Sequence, residues 1–352
     1  MREHQIAVIP GDGIGPEVIS AGLDVLRCLE QRASDFRLHF REFPWGTQYY
    51  KQHGAMMPSD GLAHLRSFQA IYFGAVGAPD VPDHITLWGL RLAICQGFDQ
   101  YVNLRPTRLL PGLNSPLRNC TSADLDWVIV RENSEGEYSG QGGRSHLGFP
   151  EEVATDVSVF TRHCVTRILR YAFELAEQRP RKLLTVVTKS NAQRHGMVLW
   201  DEVAAEVARD FPGVKWEKML VDAMTARMVA RPASIDTVVA TNLHADILSD
   251  LAGALAGSLG IAPTANLDPA RRFPSMFEPI HGAAFDITGK GIANPIGAIW
   301  TAALMLEHLG ERDAAARLMQ AVEKITAAGI LTPDLNGHST TRDVAAAMCD
   351  SL

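Results

Sequence analysis

The chain has 352 residues, of which 46% are hydrophobic and 21% charged, and its formal net charge is −7. This length exceeds the size at which a single hydrophobic core stops growing, so we expect two lobes. The negative charge argues against nucleic acid or an anionic membrane surface as a partner. The longest apolar run, 296–306, is well short of the ~18 residues that span a bilayer, so we expect no membrane segment.

The cysteines indicate the compartment in which the protein works. They are odd in number, scattered and without a C-x-x-C pair: Cys28, Cys95, Cys120, Cys164 and Cys349. This pattern predicts reduced thiols and a cytoplasmic protein. Because the first residues lead directly into a predicted strand, we expect no signal peptide.

The first elements form the beginning of an α/β fold. A short apolar strand at 5–10 is followed by a glycine-rich turn at 11–17 and an amphipathic helix. The glycines read G-x-G-x-G, which differs from the G-x-G-x-x-G dinucleotide fingerprint, so we place no pyrophosphate at this turn. A second strand at 70–76 ends in glycines, and the carboxyl ends of parallel strands are where α/β folds bind ligands.

The middle of the chain continues this alternation. A strand at 125–130 ends at Arg131, and the Gly- and Ser-rich stretch 139–148 is predicted to be an exposed loop or hairpin arm. Apolar residues at intervals of three and four predict a helix over 155–179, which Pro180 ends. The next strands are predicted at 183–188, before Lys189, at 215–221, before Asp222, and at 236–241. Three helices close the chain at about 296–309, 311–328 and 340–350.

The segment 242–251 follows the strand at 236–241 and has helical spacing. In a helix, Asp246 and Asp250 lie at i and i+4, on one face and one turn apart. Paired carboxylates that reach into a cleft suit a hard divalent metal such as Mg²⁺. On this spacing alone, a helix with two solvated acids is the commoner explanation.

The ionisable residues that follow predicted strands strengthen the functional interpretation. Arg131, Lys189 and Asp222 stand at strand ends, and Asp246 lies just beyond another. The ends of parallel strands open onto one shared cleft, so these side chains are expected to meet there. Such a set suits a metal-bound dicarboxylate, since arginines hold carboxylates through paired hydrogen bonds. Taken singly, each residue is as well explained by a surface ion pair or a helix cap.

Six motifs in collinear order extend this pattern over essentially the whole chain. They are Gly11-Asp-Gly-Ile-Gly-Pro-Glu17, Asn103-Leu-Arg-Pro106, Val130-Arg-Glu-Asn-Ser-Glu-Gly-Glu-Tyr138, Thr188-Lys-Ser-Asn191, Asn242-Leu-x-x-Asp-Ile-Leu-Ser-Asp250 and His281-Gly-Ala-Ala-x-Asp286 with Ala293-Asn-Pro295. Together they resemble the β-hydroxyacid oxidative decarboxylases, the isocitrate and isopropylmalate dehydrogenase family. Further segments, among them 98–103 and 260–266, look most like its tartrate and D-malate branch.

The resemblance implies the fold and the domains. The fold is expected to be α/β, two-lobed and isopropylmalate-dehydrogenase-like, with a largely parallel sheet continuing across both lobes and no dinucleotide-fingerprint Rossmann domain. A discontinuous cofactor-binding domain would comprise 1–100 and 257–352. The stretch 101–256 would bind substrate and metal and form the dimer, with an arm near 139–150.

The resemblance also implies an activity and its catalytic residues. The chain would catalyse NAD-dependent oxidative decarboxylation of a small 2-hydroxy dicarboxylate of the D-malate or tartrate type to a 2-keto acid. Lys189 would accept the proton of the C2 hydroxyl, and Tyr138 would protonate C3 after CO₂ leaves. Arg105 and Arg131 would hold the 3-carboxylate, and Asn191 is expected to contact the substrate as well.

The family pattern further implies metal, cofactor and partner. Mg²⁺ or Mn²⁺ would bind Asp222, Asp246 and Asp250, and a role for K⁺ stays open. In the family, the equivalents of Lys189 and Asp222 come from the partner subunit, so a homodimer with shared active sites is implied. The residues expected around the cofactor are His281, Gly282, Ala284, Asp286, Ile287 and Asn294. An acid at Asp286 favours NAD because it repels a 2′-phosphate.

Four departures from the family pattern leave the substrate open. Cys95 and Gln96 stand where relatives usually have an arginine, and Arg91, one helical turn earlier, is a candidate substitute. The others are Gly97 in place of an acid, His244-Ala245 in place of Phe-Gly, and Phe285 in place of proline. Losing a carboxylate contact costs roughly 1.5–3 kcal/mol unless another group replaces it.

Two alternatives to the D-malate or tartrate prediction remain. 3-Isopropylmalate, or another family substrate, would need an apolar patch around 88–94, where Leu90 and Leu92 flank Arg91. A non-catalytic regulatory subunit, as known in the isocitrate branch, would lack the tyrosine, the lysine or the metal-binding acids. All of these residues are present here.

Overall fold

The computed structural model describes residues 1–33 and 35–352, and within these ranges it has twelve strands and twelve α-helices. The strands are β1 Arg2–Gly11, β2 Phe36–Glu42, β3 Ala70–Ala75, β4 Val102–Arg108, β5 Asp126–Glu132, β6 Gly136–Ser145, β7 Val153–Val159, β8 Leu183–Thr188, β9 Lys215–Leu220, β10 Thr237–Ala240, β11 Pro263–Leu267 and β12 Ser275–Pro279. The helices are α1 Gly15–Arg32, α2 Thr47–His53, α3 Gly61–Leu65, α4 Asp83–Thr86, α5 Ala93–Gly97, α6 Arg162–Gln178, α7 Gly196–Val207, α8 Val221–Ala230, α9 Asn242–Leu255, α10 Ile296–Leu309, α11 Arg312–Ala327 and α12 Thr341–Ser351.

Ten strands form one sheet in the order β2-β1-β3-β12-β11-β4-β5-β10-β8-β9. Pairing is parallel in each outer part of the sheet and antiparallel around β11 and β4 at its middle. This arrangement confirms the predicted α/β fold with a largely parallel sheet that runs through the whole molecule. The division into two domains stays a prediction, since one sheet continues from one part to the other.

The central strands are buried on both faces of the sheet, and most of their residues are correspondingly apolar. β3, β10, β11 and β12 are buried along their full length, and β10 consists of Thr, Val, Val and Ala. Such continuous runs are typical of strands that have helices on both sides. Within the described residues, no helix is both long and apolar enough to cross a membrane.

The predicted helix over 155–179 is wrong at its start. Residues 153–159 form β7, which pairs antiparallel with β6 in a two-stranded hairpin, and α6 begins only at Arg162. Thr161 caps this helix by accepting a hydrogen bond from the backbone N–H of Cys164. The apolar residues of β7 happen to continue the three- and four-residue spacing of α6, which is why the sequence predicted one long helix. The β-branched residues of β7 favour an extended backbone, and pairing with β6 stabilises it.

The prediction that all cysteines are reduced is also wrong. A disulfide joins Cys28 on α1 to Cys349 on α12 across 321 positions of sequence, whereas Cys95, Cys120 and Cys164 are free. The two residues carry no pairing signal in the sequence. They come together because α1 packs against α12.

Breaking this bond is expected to destabilise the fold. Cys349→Ser should lower the free energy of unfolding by about 2–4 kcal/mol, because the cross-link restricts the unfolded chain. Urea denaturation in non-reducing buffer measures the difference, with Cys120→Ser, which alters a free thiol, as the control. Equal midpoints for Cys349→Ser and the unaltered chain would show that the bond contributes nothing to stability.

Candidate active site

A cavity of about 220 Å³ opens beyond the ends of β3 and β12, between the two parts of the sheet. Its polar lining residues are Arg91, Arg105, Arg131, Tyr138, Asp246, Asp250, Thr264, Glu278 and His281. Most of the residues predicted to bind substrate or metal are therefore brought together here. The polar lining residues come from β4, β5, β6, β11, β12, the loop after β12, α9 and the helical segment at 83–97.

Helix α9 carries the two aspartates into this cavity. It starts directly after β10, and the carboxylate of Glu137 anchors its first turn by accepting from the Leu243 N–H at 3.1 Å and the Thr241 hydroxyl at 3.0 Å. Glu137 was not predicted to have a role. The anchor fixes the rotation of α9, so that Asp246 and Asp250 face the arginines of the sheet.

Asp246 is the acceptor on which two arginines converge. Its Oδ1 lies 3.0 Å from Nη1 of Arg105 and also accepts from Nη1 of Arg131. Burial alone would raise the pKa of Asp246, but Arg131 and Arg105 override this and hold it below its usual value. Asp250 lies farther from Arg105, at 3.8 Å, and partial burial raises its pKa.

The arginines are buried more deeply than the acids that face them. Arg105 and Arg131 are 5% and 2% exposed, and burial together with Arg131 lowers the pKa of Arg105 to about 10. A lowered arginine pKa means that the charged form is short of compensating anions. A carboxylate ligand in the cavity would supply that compensation, and paired guanidinium contacts suit it.

Tyr138 stands over the same cluster. Its hydroxyl lies 3.4 Å from Oδ2 of Asp246, and the guanidinium of Arg131 lies 5.3 Å from its ring centre. The phenol is only partly buried, so its oxygen is open to the cavity. This position allows the hydroxyl to donate a proton to a bound ligand.

Arg91 reaches the cavity through a π-helical turn at Leu87–Leu92, between α4 and α5. Turns of this kind often mark functional sites. The Nε of Arg91 donates to Oε1 of Glu278 at 2.7 Å, in a pair that is almost fully buried. Cys95 does not line the cavity but packs in the core, where burial raises the pKa of its thiol to about 11.

Lys189, Asn191 and Asp222 lie outside the cavity of their own chain. Nζ of Lys189 donates to Oδ1 of Asp222 at 2.5 Å, and this bond holds the pKa of Asp222 below its usual value. Both the Asp222 side chain, 65% exposed, and Asn191 face outward. The lysine and its aspartate thus form a separate pair at the ends of β8 and β9.

The residues predicted to surround a cofactor form the loop after β12. His281 and Gly282 line the cavity, and Asp286 is exposed farther along the loop. Burial lowers the pKa of His281, so its ring is neutral at neutral pH. The Asn294 side chain is already used within the protein, since it donates to Asp334 at 2.9 Å and accepts from the N–H of Ile296.

A divalent metal fits the donor chemistry of this cavity. Asp246 and Asp250 offer carboxylate oxygens, which hard cations prefer. Among the residues that the structure describes, no three His, Cys, Asp or Glu side chains are grouped so as to hold a metal.

Sequence reasoning missed the groups that hold the arginines. Glu278 pairs with Arg91, Ser249 accepts from Arg105 at 2.6 Å, and Asn266 lies between them in the buried layer beneath the cavity. Glu278 could have been noticed in the sequence, because it lies next to the end of β12, three residues before His281. Asn266 carries none, since it lies inside a fully buried strand.

Known proteins match this chain over nearly its whole length, both in sequence and in structure. A family model described as isocitrate/isopropylmalate dehydrogenase matches residues 5–349. A probable tartrate dehydrogenase/decarboxylase of Agrobacterium vitis is 74% identical over 352 residues, which is 100% of this chain and 97% of that protein. The decarboxylating D-malate dehydrogenase of Escherichia coli is 52% identical over 99% of this chain and 98% of its own. The crystal structure of isocitrate dehydrogenase from Methylococcus capsulatus gives a TM-score of 0.88 at 33% identity, covering 99% of each chain.

Proposed function

The chain belongs to the isocitrate/isopropylmalate dehydrogenase family and is a decarboxylating dehydrogenase, and we propose that its substrate is a small 2-hydroxy dicarboxylate of the D-malate or tartrate type. One observation carries this choice of substrate. Arg91 lines the cavity, whereas Leu90 and Leu92 are 0% and 1% exposed and face the core. Within the stretch 88–94, which 3-isopropylmalate would need to be apolar, the residue that lines the cavity is therefore Arg91, one turn from Leu87.

In the proposed reaction, each site residue has a separate role. Arg105 and Arg131 hold the carboxylate that is lost, since both guanidiniums line the cavity and both side chains are buried on all other sides. Lys189 takes the proton of the C2 hydroxyl as the hydride of C2 leaves for NAD⁺. Tyr138 returns a proton to C3 once CO₂ has departed, from the place where its hydroxyl already borders Asp246. The product is a 2-keto acid with one carbon fewer.

Mg²⁺ or Mn²⁺ is the proposed metal, held by Asp246 and Asp250 with Asp222 of a second copy. When bound, it supplies a positive charge next to the C2 oxygen, which stabilises negative charge that develops there. Both aspartates stand on α9, where Asp246 is paired with Arg105 and Arg131, and their carboxylates would supply oxygen ligands to the cation.

A homodimer with shared sites is the proposed assembly. The pair Lys189–Asp222 lies outside the cavity of its own chain, and both side chains are partly or fully exposed. The hairpin formed by β6 and β7 also exposes apolar side chains, with Leu147 and Phe149 at its tip 64% and 65% exposed. Such a patch is typical of a surface that a partner covers.

A non-catalytic regulatory subunit is the alternative of another class. It is disfavoured because Tyr138, Asp246 and Asp250 keep their places in the cavity and Lys189 keeps its aspartate. Nothing in the arrangement of these side chains blocks the cavity.

The proposed substrate is tested by following NADH formation and CO₂ release with NAD⁺ and Mn²⁺. The panel is D-malate, the tartrate isomers, 3-isopropylmalate and isocitrate. We expect the highest kcat/KM for D-malate or a tartrate. A preference for 3-isopropylmalate would overturn the substrate assignment, and silence over the whole panel would favour the regulatory subunit.

Cofactor choice is proposed to depend on Asp286. The double substitution Asp286→Lys with Ile287→Tyr, the pair typical of NADP-using relatives, is expected to change the NAD/NADP preference by about 10²–10³-fold, because the carboxylate that repels the 2′-phosphate becomes a cation. Initial rates at varied NAD⁺ and NADP⁺ measure it, and Asp313→Lys, on α11, is the control for the added charge. An unchanged preference would place the adenosine elsewhere.

A further inference from the structure

A pair of buried amides lies beneath the cavity, at the middle of the sheet. Asn103 on β4 and Asn266 on β11 stand opposite each other in the antiparallel register, and both are 0% exposed. Nδ2 of Asn103 donates to Oδ1 of Asn266 at 2.6 Å. Buried amide groups need hydrogen-bond partners, and the first such bond here joins the two asparagines to each other.

Each amide also holds one of the arginines that line the cavity. Oδ1 of Asn103 accepts from Nε of Arg105 at 2.8 Å. Nδ2 of Asn266 donates to Oε1 of Glu278 at 2.7 Å, and the same oxygen accepts from Nε of Arg91 at 2.7 Å. The hydrogen bonds therefore run without a break from one guanidinium to the other.

Asn266 is the central member of this network. Its Oδ1 accepts from Asn103, from Nδ2 of Asn133 at 3.0 Å and, more weakly, from Nη2 of Arg91 at 3.4 Å. If the two amides only had to satisfy each other's hydrogen-bonding groups, the additional donors from Asn133 and Arg91 would not be needed. The convergence of three donors on one oxygen indicates that the side chain holds its neighbours in place as well as filling the core.

We propose that Asn266 is a positioning residue, which fixes the guanidiniums of Arg91 and Arg105 relative to each other and so places the carboxylates of the substrate. This inference rests on the proposed function, since it concerns the dicarboxylate that the same cavity binds. Binding groups keep their geometry when rigid elements and buried hydrogen bonds support them. Asn266 meets both conditions, because it lies on a central strand and its hydrogen bonds are buried, and it does not itself line the cavity.

The test substitutes Asn266 by alanine, and by serine in case the alanine variant does not fold. We expect KM for D-malate, or for the best substrate of the panel, to rise by about tenfold to a hundredfold, which is the effect of a weakened contact to a charged group. KM for NAD⁺ should change less than threefold. A titration of the dicarboxylate in the presence of Mn²⁺ should show the same loss of affinity without turnover.

Gln100→Leu is the matched control. Gln100 is a fully buried amide that donates to the backbone carbonyl of Pro274 at 2.7 Å, so its loss also costs stability. Its substitution should leave both KM values unchanged. In an Arg91→Gln background, the Asn266 substitution should raise KM much less than it does alone, because one of the two positioned groups is already gone.

If the unaltered chain is active, two results would overturn the proposal. One is a folded Asn266 variant whose substrate KM and binding constant equal those of the unaltered chain. The other is an equal rise in KM for Gln100→Leu, which would reduce Asn266 to a stabilising residue. If the unaltered chain turns over no dicarboxylate, the proposed function fails, and the role of Asn266 is then decided by the binding titration alone. If the unaltered chain also binds no dicarboxylate, the proposed function and the role of Asn266 are both overturned.

Discussion

Lys189→Met is expected to lower kcat for oxidative decarboxylation by about 10²–10⁴-fold, the usual contribution of a positioned acid or base. Methionine keeps the length of the side chain but cannot take the proton of the C2 hydroxyl. It also removes the partner of Asp222, which lies 2.5 Å from Nζ in the present arrangement. NADH formation at saturating substrate measures kcat directly.

A neighbouring lysine provides the control for this substitution. Lys218 also donates to a carboxylate, Asp201, at 2.8 Å, and it stands on β9, which pairs with β8, the strand that ends directly before Lys189. Lys218→Met should therefore keep the kcat of the unaltered chain. Equal losses for both variants would mean that Lys189 acts through folding, and an unchanged kcat for Lys189→Met would remove it from the reaction.

Asp246→Asn is expected to lower kcat/KM by about 10³-fold or more, because an amide binds a divalent cation far less well than a carboxylate. The substitution also leaves Arg131 and Arg105 without their shared anion, so a loss of stability should accompany it. The rate is measured at increasing Mn²⁺, where partial recovery at high metal is the expected sign of weakened binding.

A buried aspartate elsewhere separates the two effects. Asp236 is 1% exposed and pairs with Arg179 at 2.6 Å, and it directly precedes β10, at the opposite end of that strand from α9 and its cavity aspartates. Asp236→Asn should lower stability while leaving kcat/KM and its metal dependence unchanged. An Asp246→Asn variant that behaves in the same way would contradict the metal site.

The two inactive variants should complement each other. If Lys189 serves the cavity of the partner, a mixed dimer of Lys189→Met and Asp246→Asn has one site with both substitutions and one with neither. Random exchange of subunits then restores about a quarter of the activity, since half of the dimers each contain one intact site. Recovery is measured after unfolding and refolding the mixture, and no recovery would place both residues in the site of one chain.

The sequence predicted the cavity well where the relevant residues follow strands. Arg131 and Asp246 could be placed there because carboxyl ends of neighbouring strands share one edge of a sheet. Lys189 and Asp222 follow the same rule, yet they lie in a separate pair at the far side of the sheet. The rule on strand ends therefore predicts at which edge of the sheet the residues lie, but it does not predict which of them line the same cavity in one chain.

Other features depend on contacts that no local pattern encodes. Asn266 meets Asn103 only because β11 runs antiparallel to β4 in one particular register. Arg91 could be recognised as a substitute for the missing arginine, but its partner Glu278 lies 187 positions away. The hairpin strand β7 was mistaken for helix because its pairing with β6, and not its own spacing, decides its structure.

The bond between Cys28 and Cys349 turns the chain between them into a covalent ring. Nearly every exposed loop lies inside this ring, including the hairpin tip between β6 and β7. A protease that cuts such a loop once opens the ring but releases no fragment, because the two ends stay joined through the first and last helices. Only a second cut, or reduction of the sulfurs, divides the molecule.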